Sequence, residues 1–90
     1  MKFDYLRLAE IIKKAREDKG LSLRDLGYKV GTSHAELSRF ENGLKPNLSY
    51  IIFIKICNEL DLNLYKLLYE VGLYDYKKHR KYQVFIMNND

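Results

Sequence analysis

Cysteine, proline, tryptophan and glycine are all sparse in this chain, with one Cys, one Pro, no Trp and five Gly among ninety residues. A single thiol excludes an internal disulfide and any metal site built from several cysteines, and it suits a reducing compartment. The glycines are scattered, so there is no Gly-rich phosphate loop. No apolar run approaches membrane-spanning length, and Met1-Lys2-Phe3-Asp4 does not open a signal peptide, so a cytoplasmic location and no membrane partner are expected. The two histidines, His34 and His79, are distant in sequence and lack a nucleophile partner. No metal-ligand spacing occurs. The chain is therefore expected to be no enzyme and to need no cofactor. What is present is a chain 47% apolar with a net charge of +4, enough for one modest core and one domain. A pI near 9.2 is mild basicity, which permits nucleic-acid binding without demanding it.

The apolar residues recur at helical spacing. Asp4 is placed to cap a first helix in which Leu8, Ile11, Ile12 and Ala15 form one buried face, with Lys13, Lys14, Glu17 and Asp18 in solvent. Gly20 stops it, and Leu21 tucks beneath. Ser49 caps a fourth helix ending near Leu60, whose inward stripe is read as Tyr50, Phe53, Ile56, Cys57 and Leu60. Asn63 caps a fifth, with Leu64, Leu67 and Leu68 inward and Gly72 at its end. Cys57 reads as a packing residue, since it falls on the core stripe.

Residues 21–43, LSLRDLGYKVGTSHAELSRFENG, are the centre of the chain. Leu23, Leu26 and Val30 mark a short helix capped by Ser22, with Asp25 three residues on as a capping-box partner. Gly31 breaks it, because glycine enters a left-handed turn without steric penalty. Ser33 and Glu36 form an S-x-x-E pattern at the start of a further helix over about 34–41, predicted to be a reciprocal capping box. Leu37 and Phe40 supply its apolar side. Two helices joined by a Gly-containing turn are a helix-turn-helix.

Leu26-Gly27, Val30-Gly31, Leu37-Ser38-Arg39 and Glu41-Asn42-Gly43, in that order and spacing, resemble the helix-turn-helix of the phage repressor and Cro-type (XRE-type) family of bacterial transcription regulators. The resemblance runs from about Leu8 to Leu68, and its loop lengths are most like those of the SinR-type DNA-binding domains. It implies an all-α, five-helix repressor-like domain over residues 1–72, with an extension over 73–90. It also implies double-stranded DNA as partner, repression by blocking promoter access, and nucleoid association when DNA-bound.

By position in the family motif, His34, Ala35, Ser38 and Arg39 match base-reading sites, while Ser22, Ser33, Asn42 and Lys45 match phosphate-contacting ones. Arg39 suits a bidentate contact to guanine, Ser38 donates or accepts, and Ala35 suits a thymine methyl. The plain alternative for Arg39 is a solvated charge. Glu36 suits cytosine N4, although capping is the simpler use. Tyr28 reads as a packing residue and Lys29 as a solvated charge. Leu23 departs from relatives, which often carry Gln there. Arg16 and Glu41 match a family ion pair that ties the first helix to the end of the reading helix.

The remaining material is apolar surface. Ile51 and Ile52 fall largely off the inward stripe of the fourth helix, at roughly 100° and 200° from Tyr50. A helix apolar on extra faces buries them against something. With Tyr65, Tyr69, Val84, Phe85 and Ile86 they are read as the interface of a homodimer. The alternative is a tail that folds back within one monomer. The run Val84–Met87 is read as either a strand or the end of a sixth helix. The basic stretch before it either follows DNA phosphates or is solvated. A rival function, from another class, is an interaction module such as an antitoxin or regulator-binding partner.

Overall fold

The computed structural model describes residues 2–75. Among them are five helices and no strand: α1 (Tyr5–Asp18), α2 (Leu23–Val30), α3 (His34–Glu41), α4 (Tyr50–Glu59) and α5 (Leu64–Glu70). The all-α expectation holds for this stretch. The end of the chain, including Val84, Phe85 and Ile86, lies outside the described residues.

Local chemistry fixes the helix starts. Asp4, Ser22, Ser33, Ser49 and Asn63 are the N-caps, each accepting a hydrogen bond from an amide in the first turn. At α2 the box is reciprocal, with the Ser22 hydroxyl accepting from the Asp25 amide and the Asp25 carboxylate accepting from the Ser22 amide. At α3 only half of the expected box forms. Ser33 accepts from the Glu36 amide, but the Glu36 carboxylate turns away, toward Arg39 and Lys45. Two cations outcompete one neutral amide for a carboxylate.

The core is one cluster of Leu8, Ala9, Ile12, Leu26, Val30, Leu37, Phe40, Ile56, Cys57, Leu60, Leu67 and Val71. Phe40 is 1% exposed, so its ring contributes about 1.5–3 kcal/mol of burial. Two corrections to the sequence reading lie on α4. Tyr50, the first residue of α4, is exposed, not core. Ile52 is partly buried and packs against the core, its Cδ1 reaching the end of α2 at Gly31. Ile51 does project outward, and Ile54 joins it.

The turn between α2 and α3 is unusually close. Gly31 takes φ +83, the left-handed region, and the Gly27 carbonyl accepts from both the Gly31 and the Thr32 amides. A Cβ on Gly27 would sit 2.6 Å from the Thr32 carbonyl oxygen. The absent side chain lets the turn fold against α2.

Candidate nucleic-acid interface

Three anchors position α3. Leu37 and Phe40 enter the core. Glu41, its last residue, meets Arg16 of α1 in a bidentate pair: Nε donates to Oε2 at 2.8 Å and one terminal nitrogen donates to Oε1 at 2.9 Å. The other terminal nitrogen donates to the Leu21 carbonyl at 2.7 Å. Both side chains are buried, and the hydrogen bond to Glu41 holds the Arg16 guanidinium above its ordinary pKa. This joins α1, the entry to α2 and the end of α3 at one point.

The third anchor is Tyr5, which the sequence reading passed over. Its hydroxyl donates to the Phe40 carbonyl at 2.6 Å and accepts from the Lys45 amide at 3.2 Å. The hydroxyl therefore connects α1, the last turn of α3 and the loop carrying Lys45. Its partners lie 35 and 40 residues away, so no local pattern could have identified it.

With that side fixed, the outward side of α3 carries the residues matched to base reading. His34, Ala35 and Arg39 are exposed and Ser38 is half-buried. Ser22 and Ser33 are exposed at the two helix starts. Each hydroxyl accepts the capping amide and keeps its own hydrogen for an outside acceptor. Such helix starts suit phosphate oxygens. Asn42 is turned onto its own helix, its amide nitrogen donating to the Ser38 carbonyl at 2.8 Å and the Ser38 hydroxyl at 3.2 Å.

The charges on this side are linked. Arg39 pairs with Glu36 at 3.1 Å, and the Lys45 ammonium pairs with the other carboxylate oxygen of Glu36. Lys45, then Arg39, holds the Glu36 carboxyl below its ordinary pKa. The Glu36–Arg39 spacing is a readable helical pair. The approach of Lys45 depends on the loop and was not readable. Tyr28 is not a packing residue: it is 92% exposed, while Leu26, Gly27 and Val30 are the buried residues of α2. Leu23, by contrast, packs against the core at the start of α2.

Among the described residues no cluster of His, Cys, Asp or Glu fits a metal ion, and no helix is long and apolar enough to cross a membrane. Cys57 is buried, and burial pushes its thiol up to about 11.

A sequence model described as helix-turn-helix matches residues 12–67. Two curated relatives, the HTH-type transcriptional regulators SinR of Bacillus licheniformis and of Bacillus subtilis, are each 35% identical over 63 residues, covering 70% of this chain and 57% of theirs. The chain thus spans little more than half the length of these relatives. Among solved structures, the clp gene regulator ClgR from Corynebacterium glutamicum superposes with a TM-score of 0.65 at 29% identity, covering 79% of this chain and 77% of that one. A SinR–SinI complex gives a TM-score of 0.63 at 28% identity, covering 84% and 75%.

Proposed function

Because the chain belongs to the XRE-type helix-turn-helix family, we propose that it is a sequence-specific DNA-binding transcriptional regulator, a repressor that lays α3 in the major groove. The observation that carries the reading is the division of labour on α3. Leu37, Phe40 and Glu41 are buried and fixed, while His34, Ala35, Ser38 and Arg39 form the opposite side of the same rigid helix. Arg39 is the residue for a guanine edge, Ala35 for a thymine methyl, and His34 and Ser38 for polar base edges. Ser22, Ser33, Asn42 and Lys45 flank them as phosphate contacts. Binding to the operator would exclude polymerase from an overlapping promoter.

Selection from random double-stranded DNA tests this. A single enriched motif is expected, and Arg39→Ala should weaken binding to it by about 1–3 kcal/mol while relaxing one base pair. Equal loss on every sequence would make Arg39 a phosphate contact. No enrichment at low salt would refute the proposal.

One such domain reads too few base pairs for a genomic site, so the chain is proposed to work as a homodimer on half-sites roughly 34 Å apart. The contact is assigned to Tyr50, Ile51 and Ile54, which share one side of α4 by their spacing and are exposed. Tyr65, Tyr69 and the 73–90 extension join them. Sedimentation of the full chain and of a chain lacking residues 82–90 tests the assignment. A folded but monomeric truncated chain with weakened operator binding is expected. A full-length chain that stays monomeric at high concentration refutes it. The same exposed side of α4 supports a second reading, a docking face for another protein, since one solved relative is a SinR–SinI complex.

A further inference from the structure

Glu36 stands at the edge of the outward side of α3, half-buried beside Arg39, and carries the charge that phosphate repels. The helix cap does not use that charge. The α3 cap is made by the Ser33 hydroxyl and the Glu36 backbone amide, and the carboxylate takes no part in it. Instead the carboxylate engages Arg39 with one oxygen and Lys45 with the other. These are the residues assigned to a base edge and to the DNA backbone, and both are answered within the chain before a duplex arrives.

Resting on the DNA-binding reading above, we infer that Glu36 is a specificity-determining residue. Its carboxylate clamps Arg39 and Lys45, so sequence-indifferent attraction to phosphate is suppressed, and only a site that satisfies Arg39 on a base edge compensates for opening the clamp.

The mechanism is a competition between like acceptors. Carboxylate and phosphate present similar oxygens to a cation. On arbitrary DNA, Lys45 and Arg39 exchange Glu36 for phosphate. Each new pair costs an old one, and the bared carboxylate then faces the backbone. On a matching site, Arg39 gains two directed hydrogen bonds to guanine O6 and N7, and Glu36 keeps a use as acceptor for cytosine N4. The Arg39–Glu36 pair is solvent-exposed, with side chains 60% and 30% accessible, and the Lys45–Glu36 pair is only partly buried. Such pairs open readily and contribute little to stability, which is what a reversible clamp needs. Because Lys45 keeps the carboxyl below its ordinary pKa, the clamp is charged throughout the neutral range.

Glu36→Gln removes the charge and keeps the shape. Binding of the wild type and E36Q to the selected duplex, and to a scrambled duplex of equal length, is measured by fluorescence anisotropy across a salt series. On scrambled DNA, E36Q should bind roughly five- to tenfold tighter near 0.1 M salt, with a log K–log salt slope steeper by about 0.9, the value for one further phosphate neutralised. The selected duplex should gain less, so the ratio between the two falls. In a Lys45→Gln background most of the gain on scrambled DNA should vanish. Glu36→Ala, which keeps the Ser33–amide cap and offers Arg39 and Lys45 no side-chain partner, should show the same gain on scrambled DNA, and thermal melting checks that each variant is folded. Equal gains on both duplexes, or no gain on scrambled DNA, would overturn the inference while the wild type still discriminates and the DNA-binding reading stands. A wild type that does not discriminate removes that reading, and the inference with it.

Discussion

Removing Arg16 should do more damage than removing Glu41, although the two form one pair. In Arg16→Ala, the Glu41 carboxylate loses both charge-assisted hydrogen bonds, at 2.8 and 2.9 Å, and its side chain is only 3% exposed. The Leu21 carbonyl loses its 2.7 Å donor as well. A buried charge left alone costs about 3–5 kcal/mol, a large share of the 5–15 kcal/mol that roughly spans domain stabilities. In Glu41→Ala, Arg16 keeps its bond to Leu21, and its long side chain is able to carry the guanidinium outward. The loss should fall at the lower end of that range, about 3 kcal/mol. At roughly 4–8 °C per kcal/mol for a domain this small, Arg16→Ala should melt at least about 12 °C lower. The double variant should lose less than the sum, since removing both partners strands neither. Urea denaturation of the four proteins measures the cycle. Additivity within about 0.5 kcal/mol, or Glu41→Ala losing more than Arg16→Ala, would refute the reasoning.

Other outcomes are open to measurement. Gly27→Ala should destabilise the domain by about 1–3 kcal/mol despite the better helix propensity of alanine, because the new Cβ meets backbone; a rise in melting temperature would mean that the turn relaxes. The Cys57 thiol, pushed up to about 11 by burial, should resist a disulfide reagent at pH 8 in the folded protein and react at once in denaturant. Bonds from Ser22 hold the Asp25 carboxyl below its ordinary value of 3.8. A lowered folded pKa contributes stability above the unfolded value and loses it as pH falls through the folded one. Denaturation midpoints of Asp25→Asn should therefore lie below wild type at neutral pH and converge with it in acid; a constant gap across pH would refute the linkage.

The legible parts of this fold are those with local causes. All five N-caps could be read because a cap is decided by a residue and the amides two or three positions beyond it. The inward stripes were readable for the same reason, at Ile12, Leu37 and Ile56. Tyr50 shares the period of the inward stripe yet is exposed, because periodicity reports which residues share a face and not how far along the helix that face is covered; Tyr28, expected to pack as an aromatic residue commonly does, is exposed as well. Val71 was missed for a related cause. It lies just past α5, where no period applies, yet its carbonyl accepts from the Asp4 amide at 2.8 Å and its side chain is buried. In the candidate site, the outward residues of α3 followed from the motif. The claims of Lys45 on Glu36 and of Tyr5 on the loop arise only when the chain is closed in three dimensions.

The Tyr5 hydroxyl bears on how a duplex would be met. Bonded to the Phe40 carbonyl near the end of α3 and to the Lys45 amide, it ties the loop backbone at Lys45 to the helix. A loop that docks from a disordered state loses about 1–2 kcal/mol of backbone entropy per residue fixed, and that loss would be charged to association. Here the restriction was imposed when the domain folded. Encounter with DNA then becomes a matter of orientation and of rearranging side chains, and little of the interaction energy is diverted into shaping the backbone.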